Sequence, residues 1–148
     1  GGLRASGGFT QEAESSVLFE HCSAQFGGGL FTQSYQQEPG SSAVFENCMA
    51  AMNGGGVCLQ SGGFRQGPNS SAHFRSCAAV RGGGIFVPQD NSYQQESGSS
   101  AVFQHCTATQ RGGGLFTEGS FSQEGPSTVV FEGCTADGDA GCAYARNV

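Results

Sequence analysis

Seven cysteines and three histidines are the side chains here with the most capacity for covalent or metal chemistry. Five of the cysteines, Cys22, Cys48, Cys77, Cys106 and Cys134, recur at intervals of 26 to 29 residues. His21 and His105 each stand directly before one of them, as a general base might stand beside a thiol nucleophile. Adjacent residues of an extended strand point to opposite faces, however, and Asn47, Ser76 and Gly133 fill the same place in the other copies. His21, His105 and also His73 therefore read as exposed surface residues. A tetrahedral metal site is not expected: no Cys-x-x-Cys occurs, and a linear column of thiols cannot converge on one ion. Glu12, Glu38, Glu96 and Glu124 recur at one position, with Gly67 breaking the series. Repetition of that kind reads as solvated edge charge more than as a glycosidase pair. Asp137-Gly138-Asp139 lacks the further oxygen ligands of a calcium loop. Arg81-Gly82-Gly83 and Arg111-Gly112-Gly113 imitate an RNA-binding pattern, yet Phe26 and Asn53 precede the glycines elsewhere, so this reads as a turn that tolerates Arg. No catalytic, cofactor or metal residue is expected.

The elements that carry these residues are copies of one unit. An aromatic anchor recurs at Phe9, Tyr35, Phe64, Tyr93 and Phe121. Each is followed two residues on by Gln, six on by Ser, ten on by Phe and thirteen on by Cys. The Phe set is Phe19, Phe45, Phe74, Phe103 and Phe131. All variation in length falls between copies, near the triple glycines at 27–29, 54–56, 82–84 and 112–114. A register fixed within the unit and loose between units is the signature of a solenoid. Abundant Gly and the lack of i, i+3, i+4 apolar spacing disfavour helical repeats. Short Ser-Ala-Val-Phe runs bounded by Gly, Ser and Asn favour strands. The fold expected is an all-β, right-handed parallel β-helix of about five coils of 26–30 residues, spanning 1–148 as a single repeat domain. The chain opens in mid-coil, so it reads as a fragment or a processed part of a longer protein.

In Ala43-Val44-Phe45 and its counterparts the outer two residues share the core face. The middle residue then faces outward, and it is Leu18, Val44, His73, Val102 or Val130. Four of these five are apolar where solvent would accept anything, which makes the column a candidate docking stripe. Stacked coils also set successive cysteine Cα atoms ~4.8 Å apart, within reach of a disulfide. Buried inert thiols and one or two inter-coil disulfides are both open readings. Stacked Gln and Ser side chains read as columns that hold coil register. The loops after the second strand carry Pro88, Asp90 and Glu118 with no convergent chemical set, and Asn69-Ser70-Ser71 is a lone glycosylation sequon.

A net charge of −6 with every basic residue an arginine argues against binding to a phosphate backbone. No apolar run is long enough to span a bilayer as a helix. These features suit a non-enzymatic structural or adhesive scaffold at the cell surface or in an organelle lumen, unlike a free cytosolic enzyme. Its partners would be protein, through the stripe or by self-stacking of coil ends. The alternatives are an accessory subunit of a large, lumenal photosynthetic assembly and a polysaccharide-active or carbohydrate-binding β-helix.

The order Phe-x-x-Cys-x-Ala, short spacer, Gly-Gly-Gly, aliphatic resembles the repeats of chlamydial polymorphic outer-membrane proteins, where Phe-x-x-Asn and Gly-Gly-Ala-Ile stand in the same order. The resemblance covers nearly the whole chain and implies β-helical adhesin passengers. Cys replaces Asn at all five positions, a variant similar to repeats in predicted dinoflagellate proteins.

Overall fold

The structure, a computed structural model, describes residues 1–147. After β1 (Leu3–Arg4), the first full coil comprises β2 (Phe9–Gln11), β3 (Ser16–Glu20), β4 (Ser23–Phe26) and β5 (Leu30–Thr32). The second holds β6 (Tyr35–Gln37), β7 (Ser42–Glu46), β8 (Met49–Asn53) and β9 (Val57–Leu59). The third holds β10 (Phe64–Gln66), β11 (Ser71–Arg75), β12 (Ala78–Arg81) and β13 (Ile85–Val87). The fourth holds β14 (Ser92–Gln95), β15 (Ser100–Gln104), β16 (Thr107–Arg111) and the start of β17 (Leu115–Gln123), which runs on into the fifth. β18 (Thr128–Glu132), β19 (Thr135–Ala136) and β20 (Ala143–Asn147) complete it.

Every strand pairs in parallel with its counterpart one coil away, and the described residues contain no helix. The expected solenoid of about five turns is therefore the observed fold. Each coil has more strands than the sequence suggested. The aromatic-x-Gln run and the run after each cysteine are also strands, too short and too polar to show an alternation of their own. In β17 the two ladders flanking the variable loop fuse, because Thr117 to Ser120 continues extended where other coils turn away.

The core is a set of stacked columns. Phe19, Phe45, Phe74, Phe103 and Phe131 stack ring on ring at 4.8 to 4.9 Å, within 12° of parallel. Beside them run the aromatic anchors, 4.7 to 5.3 Å apart. Leu30, Val57, Ile85 and Leu115 form a third column. Rings at such separations gain stacking energy beyond their buried area.

Glycine makes this stacking possible in two ways. Gly54, the first of its triplet, has φ 65°, in the left-handed region that a β-carbon resists. Gly56, the third, lies against the Phe column, and a β-carbon there would stand 2.7 Å from Phe74 Cδ1.

The Gln column is buried outright: Gln11, Gln37, Gln66 and Gln95 are all shielded from solvent. Each amide must then find partners inside. Gln37 Nε2 donates to Gln11 Oε1 at 3.3 Å, Gln95 Nε2 to Gln66 Oε1 at 2.9 Å, and Gln123 Nε2 to Gln95 Oε1 at 3.0 Å. Tyr35 and Tyr93 hydroxyls donate to Gln11 and Gln66 Oε1 at 2.7 and 2.6 Å. Gln37 Oε1 receives nothing, because the ring above it is Phe64, which has no hydroxyl.

Candidate functional site

The candidate stripe lies on the sheet formed by β3, β7, β11, β15 and β18, the one sheet in which all five strands pair without a register shift. Alternation along each strand turns Ala43 and Phe45 inward and Ser42, Val44 and Glu46 outward. Three outward columns result. The centre is Leu18, Val44, His73, Val102 and Val130; one flank is Ser16, Ser42, Ser71, Ser100 and Thr128; the other is Glu20, Glu46, Arg75, Gln104 and Glu132. Leu18 is 61% exposed and Val130 47%. Val44 and Val102 are half-buried between their neighbours.

His73 corrects one expectation: it is half-buried rather than exposed, because Val44 and Val102 occupy the rungs on either side. Burial, and then the charge of Arg75, lowers its pKa from the ordinary histidine value. The column is therefore uncharged along its whole length at neutral pH. Its charged flank is tied internally, with Arg75 Nη1 3.4 Å from Glu46 Oε1 and Gln104 Nε2 donating to Glu132 Oε2 at 2.7 Å.

The residues that precede the cysteines share one backbone corner. His21, Asn47, Ser76, His105 and Gly133 all hold φ between 52° and 61°, a left-handed corner where Asn, His and Gly are favoured. That conformational demand accounts for the two histidines that precede cysteines. Both are exposed, whereas Cys48, Cys77, Cys106 and Cys134 are buried. Cys77 Sγ donates to the carbonyl of Phe45, Cys106 Sγ to Phe74 and Cys134 Sγ to Phe103, at 3.3 to 3.4 Å, each reaching back one coil. All seven cysteines are free thiols, with Cys22 half-buried and Cys142 exposed. Hydrogen bonds passed from thiol to thiol along the column split the pKa values: those of Cys77 and Cys134 are raised, and those of Cys48 and Cys106 are lowered.

Other polar candidates remain on the surface. Glu12 and Glu124 are exposed, and Glu96 pairs with Arg65. Asp139 lies 3.6 Å from Arg111. No group of three His, Cys, Asp or Glu converges among the described residues. The loops are less scattered than the sequence suggested. Asp90 and Glu118 line one open cavity of about 560 Å³ together with Gln89, Asn91 and Arg146.

One feature escaped the sequence reading altogether. A second apolar column, Phe31, Cys58, Phe86, Phe116 and Tyr144, runs on the outside of the solenoid. Phe86 and Phe116 stack at 5.4 Å, and Phe116 and Tyr144 at 4.9 Å. Arg81 and Arg111 cover it: Arg81 lies 5.3 Å from the Phe86 ring centroid and Arg111 5.4 Å from that of Tyr144. Those arginines are lids over aromatic rings, a more specific role than toleration in a turn. The signal was available in Leu30-Phe31, Val57-Cys58, Ile85-Phe86 and Leu115-Phe116, since two consecutive apolar residues of a strand cannot both face one core. No protein-family pattern, no curated protein and no solved structure matches this chain.

Proposed function

We propose that the chain is a non-enzymatic structural or adhesive scaffold that binds another macromolecule through the outer face of its five-stranded sheet. The observation that carries this reading is the exposure of Leu18 and Val130 at the ends of an uncharged column flanked by hydroxyls. An exposed, ordered apolar stripe is a surface that a protein without a partner gains nothing by keeping. The parallel strands beneath hold its side chains in register, so a rigid partner meets a preorganised surface. The scaffold acts outside the cytosol, at a cell surface or in an organelle lumen.

Val44→Glu and Val102→Glu introduced together test it. Both residues face outward, so the fold should persist with an unchanged circular dichroism spectrum. Binding to the native partner should fall at least tenfold. Unchanged binding with an intact fold rules out this face as the docking surface.

A further inference from the structure

The fold itself sets the geometry of the cysteine column. The N–H of Met49 donates to the carbonyl of Cys22 at 2.8 Å, Ala78 to Cys48 at 3.0 Å, Thr107 to Cys77 at 2.9 Å and Thr135 to Cys106 at 3.0 Å. Each cysteine therefore sits one strand spacing from the next. All five thiols are turned the same way. Cys22, Cys48, Cys77, Cys106 and Cys134 each donate from Sγ to the carbonyl two residues back, at 3.4 to 3.7 Å. Identical side-chain directions on in-register rungs repeat the sulfurs at ~4.8 Å. Neighbouring thiols are near enough to pass hydrogen bonds along the column.

That spacing is selective. A disulfide needs β-carbons about 3.5–4.5 Å apart, closer than rungs at ~4.8 Å provide. Zinc needs a tetrahedron of ligands. Each gap in the column offers two sulfurs in a line, and no group of three His, Cys, Asp or Glu converges among the described residues. Two metal–thiolate bonds of ~2.3 Å laid end to end, in contrast, span ~4.6 Å, close to the rung spacing. An ion that accepts two sulfurs in a line therefore fits each gap. Soft thiolate ligands favour copper(I), a closed-shell ion that takes linear coordination.

We propose that the cysteine column is a binding site for soft monovalent cations of the copper(I) class, each held in a line between the sulfurs of successive coils. The charge balance favours a monovalent ion and a filled column. The first ion breaks two S–H bonds, forms two metal–sulfur bonds and releases two protons to solvent, leaving one net negative charge. Each further ion in an adjacent gap shares a sulfur already bound. It breaks one S–H bond, forms two metal–sulfur bonds and releases one proton, so it adds no charge. Five sulfurs enclose about four gaps, and a full column carries one negative charge with no electron transferred. Because burying charge is costly, ions fill neighbouring gaps together. Burial of Cys48, Cys77 and Cys106 is no barrier, since a structural metal is taken up as its ligands come together in folding. Cys22, half-buried, gives a further point of entry. The column lies inside the solenoid, so this proposal stands or falls independently of the outward stripe.

Refolding with silver nitrate, a redox-stable stand-in for copper(I), provides the test. The unaltered chain is compared with a Cys58→Ala/Cys142→Ala variant that keeps only the column thiols. Native mass spectrometry counts the ions, and X-ray absorption at the silver edge counts their sulfur neighbours. The expected result for the variant is about four ions per chain, each with two sulfurs, and few chains holding only one ion. The unaltered chain should take up at least as many. Zinc, offered in parallel, should bind at least about tenfold more weakly. Adding Cys77→Ala leaves the pairs Cys22–Cys48 and Cys106–Cys134 and should reduce the capacity to about two. Should that chain fail to fold, Cys22→Ala removes the half-buried end rung and should reduce it to about three. Val44→Glu with Val102→Glu should leave uptake unchanged. Absence of uptake overturns the proposal, as does a capacity that ignores removal of a rung. Silver with one sulfur neighbour shows adventitious thiol binding only, and zinc bound as tightly as silver shows a tetrahedral site; either result overturns the linear assignment.

Discussion

Gln37 shows how a single atom decides local stability in this fold. Its Oε1 is buried without a partner because Phe64 stands where Tyr35 and Tyr93 supply a hydroxyl to the neighbouring Gln. An unpaired buried acceptor costs about 1–3 kcal/mol. Phe64→Tyr should place a hydroxyl against Gln37 Oε1 and raise unfolding stability by about 1 kcal/mol, read as a higher urea midpoint with an unchanged slope. A lower midpoint would mean that the column has no room for the oxygen. A second orphan, Ser127 Oγ, has a related cause. Ser41, Ser70 and Ser99 each donate to a carbonyl three residues back. Pro126 cannot take the left-handed conformation that Gly40, Asn69 and Gly98 adopt at that place, so the turn shifts to Gly125 and the donation is lost. The Gln and Ser columns were legible from the sequence as register devices. Full burial of the Gln amides was not, because a long polar side chain gives no sign of which way a three-residue strand turns it.

At the scale of the coil, the triple glycine and the Phe column depend on each other. A β-carbon at Gly84 would stand 2.7 Å from Phe103 Cδ1, whereas one at Gly7 would meet nothing within 4 Å. Gly84→Ala should therefore destabilise by about 1–3 kcal/mol, the range for overpacking a core, while Gly7→Ala should be nearly neutral. Equal effects on thermal unfolding would show that the Phe column yields freely. Buried ionisable groups add a pH limit. Burial raises the Cys58 thiol from 9.0 to about 12 and pushes the Tyr35 hydroxyl up as well. The unfolded chain gives up these protons first, so the stability they contribute is complete below pH 9 and is lost as the pH rises toward 12. The urea midpoint should decline above pH 9, less steeply in Cys58→Ala. A midpoint independent of pH up to 11 would contradict this burial. The Ser-Ala-Val-Phe strands were readable because alternation exposes them. The outer aromatic column was hidden because its Phe residues sit beside core Leu and Ile and merge into one apolar run.

Over the whole molecule, successive coils touch only their neighbours, so the chain has a repeating cross-section in place of a single central core. Its surface is accordingly a set of flat ladders, each carrying one chemistry along its length. That regularity made the fold readable from five aligned copies, and it turned the position of Val44 within its copy into an outward column. It also explains why function is less legible: chemistry at a single site comes from departures from the repeat, and a departure looks like noise until neighbouring rungs are in place. The most direct measurement is site-specific photo-crosslinking in the native source material. Benzoylphenylalanine would replace Val102 on the apolar column in one sample and exposed Gln110 on β16 in another. The scaffold account predicts one adduct of discrete mass from position 102 and none from 110. No adduct from 102, or equal adducts from both, would contradict it.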